Sequence, residues 1–249
     1  MAANEVQMPF IKNLASSDRK LRTASLDSLK TFLSTRIRTN PLQLPEALRL
    51  WKGLYFALWM TDRPGPQQRL AADLASLADD GGDQNASSSF RAVWYAAFWD
   101  VIGQQWPQID RHRMDKFLLL VRRVFAAHVR HARGDADVAG VLAEWPFEAS
   151  GDLRRVPLGV RLHVLDLWVD ELEREGILAE GEEKGSDGRV LVERVGEMVQ
   201  GLLHCPVKQV RERARESYDD ERLPWVKKGD EDEEKGAEEE DEEWGGIDE

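Results

Sequence analysis

Cysteine is nearly absent from this chain: Cys205 is the only one in 249 residues. A single thiol excludes an internal disulfide framework and fits a reducing compartment such as cytosol or nucleus. Long apolar runs are missing too. The longest, Ala92 to Trp99, is far too short to span a bilayer, and the opening MAANEVQMPFIKN lacks the basic and apolar regions of a signal peptide, so no membrane association is expected. Strand-like alternation bounded by hairpin turns is lacking as well. The usual chemical signatures are also absent: no glycine-rich phosphate loop, paired metal-ligand motif or nucleophile elbow occurs. The expectation is therefore no enzyme activity, no catalytic residue, no metal, no cofactor and no small-molecule substrate.

What is present is helical periodicity along almost the whole chain, with 42% hydrophobic residues, enough for a sizeable core. The spacing predicts helices over about 18–36, 45–62, 67–78, 90–105 and 110–131, then shorter or weaker ones over 135–147, 156–175, 189–204 and 206–223. Leu21, Leu26, Leu29, Phe32 and Leu33 form the apolar face of the first. The fourth carries Phe90, Trp94, Phe98 and Trp99, and the fifth buries Met114, Phe117, Leu118, Val121, Val124, Phe125 and His128. Residues 79–89 and 181–188 read as polar loops. Helices of this length joined by short loops predict an all-α fold of stacked antiparallel helix pairs, HEAT-like or an irregular α-solenoid, with a compact bundle as the competing architecture.

The net charge of −12 is unevenly distributed. Residues 229–249 hold thirteen acids and one lysine and are expected to be a disordered acidic tail, since like charges repel and little apolar surface offsets ordering entropy. Within it EEWGGIDE offers Trp244 and Ile247 as a candidate docking peptide. The helical domain, 1–228, divides into a basic half (1–133, net +7) and an acidic half (134–228, net −7). Such polarity permits one end to meet phosphate and the other a basic protein.

The fifth helix carries the most suggestive pattern. Lys116, Arg123 and Arg130 recur every seven residues, and Arg111, Arg113, Arg122 and Arg133 widen the stripe away from the apolar face. Such a stripe can bind RNA phosphates without reading sequence. Trp106, beside Pro107 at a helix end, is a candidate partner contact. His128 and His131 read as core and surface histidines, Cys205 as a buried structural thiol, and Asp166, Asp170, Glu171, Glu173 and Glu175 as a solvated helix face.

Two segments, LWKGLYFALWMTDRPGPQQRLA at 50–71 and FWDVIGQQWPQIDRHRMDKFLLLVRRVF at 98–125, resemble the most characteristic parts of the ribosomal-RNA-processing protein 1 family. PFIKNLASSDRKLRTASLDSLKTFL at 9–33 is similar to its opening helix, and the resemblance covers about residues 5–220. Asp110, Arg113, Asp115, Lys116 and Phe117 match the family motif, and Arg122 and Arg123 its basic pair. The chain departs from the pattern in its acidic finish and in lacking the long basic extension of some members. The resemblance implies a nucleolar, nuclear, non-catalytic assembly factor of early large ribosomal subunit precursors. Its implied partners are large-subunit pre-rRNA and ribosome assembly factors, with ribosomal proteins as further candidates. A purely protein-binding adaptor within pre-ribosomes, without RNA contact, is the alternative.

Overall fold

A computed structural model describes residues 13–14, 16, 18–39, 42–79, 84–180 and 185–226. Among the described residues, ten α-helices follow one another from Arg19: α1 (Arg19–Thr39), α2 (Leu44–Trp59), α3 (Pro64–Ala75), α4 (Gln84–Gln105), α5 (Met114–Ala132), α6 (Ala136–Glu144), α7 (Leu158–Arg174), α8 (Ile177–Glu180), α9 (Asp187–Leu202) and α10 (Lys208–Tyr218). Among the described residues there is no strand, and no helix is long and apolar enough to cross a membrane.

The packing is two-layered and solenoid-like. In one layer α2 packs on α4, α4 on α6 and α6 on α9; in the other α3 packs on α5, α5 on α7 and α7 on α10. Neighbours within a layer are thus mostly two elements apart in sequence, the pattern of helix pairs stacking one on the next. One continuous apolar core runs between the layers from Leu14 to Leu223.

Local chemistry sets the helix ends. Pro45 sits in the first turn of α2, where its missing N–H is not needed, and the Glu46 carboxylate accepts the Gln43 N–H at 3.0 Å. Asp135 caps α6 by accepting the N–H groups of Asp137 and Val138, and Ser186 caps α9 through Arg189 N–H. Gly176, at φ +74°, ends α7 in a left-handed conformation that a side chain would strain.

Aromatic contacts lock the layers. Trp51 of α2 meets Trp94 of α4 with centroids 4.8 Å apart and donates its indole N–H to the Trp94 carbonyl at 3.0 Å. Tyr95 of α4 stacks on His128 of α5 at 4.1 Å. Phe90, Trp94, Phe98 and Trp99 are all buried, as their helical spacing implies.

Three sequence expectations need correction, and one helix is added. Helix α4 begins at Gln84, inside the stretch read as loop. The short α8 lies at Ile177–Glu180, between the helix expected over 156–175 and the loop expected over 181–188, with Ile177 filling the core. Leu21 is exposed, because α1 rotates Leu26, Leu29 and Leu33 inward instead. Glu171 is buried rather than solvated, because α5 lays Arg122 against it.

Candidate nucleic-acid interface

The cations of α5 and its approach begin at Asp110. Its carboxylate accepts the backbone N–H groups of His112 (2.9 Å) and Arg113 (3.2 Å), which starts the turn leading into α5. The same carboxylate pairs with the Arg113 guanidinium, and that contact with two N–H donors holds the acid below its usual carboxylate range. Arg113 lies over the Trp59 ring, 4.6 Å from its centroid.

Lys116 turns away from solvent. The side chain is buried, and its ammonium donates to the carbonyls of Trp59 (2.7 Å) and Thr61 (2.9 Å) at the C-terminal end of α2. A cation is favourable there, where helix carbonyls lack amide partners. Burial, and then Arg113, pull the lysine below its ordinary pKa. Seven-residue periodicity put Lys116 on the outer stripe; α3 packing on α5 brings the end of α2 over that position. Beside it Tyr55 stacks on Phe117 at 4.5 Å, and burial pushes the tyrosine hydroxyl up to about 12. Segments 50–71 and 98–125 therefore meet in one clamp, in which Trp59, Thr61, Asp110, Arg113, Lys116 and Phe117 hold each other.

Further along α5, Arg122 Nε donates to Glu171 of α7 at 2.5 Å, and Arg174 joins the same carboxylate at 2.9 Å. Arg130 reaches Asp79 at 3.6 Å and Glu175 at 3.5 Å. Arg133, exposed, is the C-cap residue. Arg111 and Arg123 are exposed and make no hydrogen bond or ion pair through their side chains among the described residues. Among the described residues, the predicted stripe thus resolves into two arginines without a side-chain partner, beside cations engaged within the fold.

Trp106 also departs from its expected role. It is buried, and Gly159 at the start of α7 comes so close that an added Cβ would lie 2.8 Å from its indole nitrogen. The ring is therefore packing, not an exposed contact. Trp244, Ile247 and the acidic stretch lie outside the described residues.

The other ionisable groups in the interior have structural partners. His128 accepts the Trp99 indole N–H at Nδ1 (3.2 Å) and donates from Nε2 to the Val138 carbonyl (3.0 Å), the neutral tautomer; burial pushes it down to about 3. Arg161 is fully buried and ties down the 148–156 connection by donating to the carbonyls of Glu148 and Val156 and to the Glu148 carboxylate at 2.7 Å. On α7, Asp166 pairs with Arg213, and Asp170 and Glu173 with Arg222, so that acidic face fastens α10 and the segment after it. Cys205 is buried. No group of His, Cys, Asp and Glu suited to a metal ion occurs among the described residues.

Sequence reasoning missed the basic residues around α1 and α3. Arg19, Arg22, Lys30 and Arg69 line a cavity between α1, α2 and α3. Helical spacing already placed Arg19, Arg22 and Lys30 near one face of α1, but only the tertiary fold adds Arg69.

The chain matches the family described as nucleolar protein, Nop52, over residues 5–248. The chain belongs to the Nop52 family of nucleolar proteins. Its similarity extends to proteins named ribosomal RNA processing protein 1 homologs. It is 29% identical to human homolog B over 181 residues, covering 70% of this chain and 23% of that protein. The fruit-fly (Drosophila melanogaster) homolog is 31% identical over 180 residues, covering 70% and 25%. Mouse homolog A is 29% identical over 176 residues, covering 68% and 35%. This Nop52-family chain thus spans about a quarter to a third of the length of these relatives.

Proposed function

We propose that the chain is a non-catalytic helical scaffold in ribosomal RNA processing, working in nucleolar precursors of the large ribosomal subunit. The Nop52 match across residues 5–248 carries this reading. The work is binding and positioning: Arg111 and Arg123, exposed and partner-free among the described residues, contact pre-rRNA phosphate, while the acidic half and segment 229–249 engage basic assembly factors. The ionisable groups of the interior support a scaffold over a catalyst, since His128, Arg161, Glu171 and Lys116 are each committed to packing contacts.

In-cell protein–RNA crosslinking with sequencing tests the reading, comparing wild type with an Arg111→Glu/Arg123→Glu variant. These positions avoid Lys116 and Arg122, whose partners hold the fold. The expected result is a discrete large-subunit pre-rRNA site that the variant loses while keeping its helicity. The second reading, a protein adaptor without RNA contact, is favoured by one observation: Arg113, Lys116, Arg122 and Arg130 are all engaged internally. Co-purification with pre-ribosomes without any RNA crosslink selects it.

A further inference from the structure

The cavity between α1, α2 and α3, about 160 Å³, joins two chemistries. Its apolar part is lined by Leu26, Leu54 and Leu70, one from each helix, and its polar part by cations that include Arg19, Lys30 and Arg69. Asp27 and Asp73 also line it, and Asp73 lies 3.8 Å from Lys30. Arg19 and Arg69 have no ion pair among the described residues. An enclosed apolar cavity of about 150 Å³ accommodates a benzene-sized ring, and this one has that size but opens to solvent on its charged side. Among the described residues no aromatic side chain lines this one, and none there offers the stacking platform that unpaired RNA bases use. Apolar walls with a cationic rim instead suit an acidic peptide carrying one apolar anchor.

The chain contains such a peptide. In EEEDEEWGGIDE, residues 238–249, an indole follows six consecutive carboxylates. The described body ends at Val226, where Leu223 is buried, Arg222 is fastened to Asp170 and Glu173, and Trp225 stacks on Tyr218. That end lies beside α7 and α10, three helix spacings from α3 in its layer, about 30 Å at ~10 Å per spacing. The eighteen residues from Val226 to Trp244 reach up to about 60 Å extended, and a flexible chain of that length spans roughly 25 Å, more when charges repel. Span and linker length match, the condition under which tethering gives its highest effective concentration, of millimolar order. Even weak docking is then populated.

We propose that the cavity between α1, α2 and α3 is the docking site for the chain's own acidic segment, with Trp244 among the leucines and the carboxylates of 238–243 against Arg19 and Arg69. Docking covers part of the basic half and gives a basic partner that captures the segment a way to uncover it. The inference goes beyond the scaffold reading and does not depend on it.

The test uses the 249-residue chain labelled with 5-fluorotryptophan. The Trp244 ¹⁹F resonance is assigned by its loss in Trp244→Phe and compared with that of a free peptide of residues 238–249. At low salt the resonance is expected away from the peptide position, independent of protein concentration. It moves to the peptide position in roughly 0.5 M salt, where the Debye length is a few ångströms. It also moves there in Arg19→Glu/Arg69→Glu, and in a variant with Glu240→Gln, Asp241→Asn, Glu242→Gln and Glu243→Gln, which leaves the helical body untouched should the first variant misfold. A wild-type resonance already at the peptide position overturns the proposal, as does a shift that ignores the charge variants. Concentration dependence assigns the cavity to a second copy, and a free Trp244 with amides of α1 and α3 protected by single-stranded RNA assigns it to RNA; either result overturns it.

Discussion

Replacing Lys116 with methionine keeps the apolar stem and removes the ammonium that joins α5 to the end of α2. Two charge-assisted hydrogen bonds disappear, to the carbonyls of Trp59 and Thr61, inside a region that shields the lysine almost completely. Bonds to charged donors contribute about 1.5–3 kcal/mol each, and losing the desolvation cost of the ammonium offsets part of that, so the net destabilisation is about 2–4 kcal/mol. For a body of this size that lowers the melting temperature by about 10 °C. Far-UV circular dichroism during urea and thermal unfolding reads the effect, with Arg123→Met as the exposed control expected within about 0.5 kcal/mol of wild type. A Lys116→Met chain as stable as wild type but unable to bind RNA refutes the reasoning and returns Lys116 to the interface.

Glu171→Ala leaves Arg122 and Arg174 without their shared carboxylate; because both arginines keep some solvent contact, the cost is about 2 kcal/mol, read by urea midpoint. His128 is neutral in the fold with its pKa depressed to about 3 by burial, so the stability it permits is intact above its unfolded value and is lost as pH falls from about 6.5 towards 3, at up to about 1.4 kcal/mol per pH unit. His163, also lowered by burial, adds to the same slope, so His128→Gln is expected to flatten the fall between pH 6.5 and 5 without abolishing it. Unchanged slopes in unfolding curves across that range count against the assignment. Gly103→Ala in α4 would place a methyl group 2.5 Å from the Arg155 carbonyl oxygen, which is backbone and cannot swing aside; a loss of about 1–3 kcal/mol is expected in thermal unfolding.

Periodicity made the helices legible because burying an apolar stripe leaves a regular mark: α5 buries Phe117, Val121, Val124, Phe125 and His128 as its spacing implies. The partner of each stripe leaves no such mark. Nothing local says that α2 ends above Lys116, that Arg122 faces Glu171, or that Gly159 closes over Trp106, and all three depend on neighbours 49 to 57 positions away. A long basic side chain is especially deceptive, since its reach lets it leave the face its Cα occupies and satisfy carbonyls several ångströms away. The short α8 went unseen because four residues are too few for a period to register.

The clamp changes what the family resemblance means for function. The two segments that carry it meet around Lys116, Arg113 and the stacked Tyr55 and Phe117, so their unusual residues are needed to seat α5 against α2. A motif explained by folding gives no information about the ligand, however specific it is. The search for binding residues then moves to cations without an ion pair among the described residues: Arg111 and Arg123 on and before α5, and Arg19 and Arg69 at the cavity. Charge reversal separates these roles. Reversal at Arg111 and Arg123 is expected to change pre-rRNA crosslinking and leave unfolding unaltered, whereas substitution at Lys116 lowers stability first and affects binding only through the fraction of chain still folded.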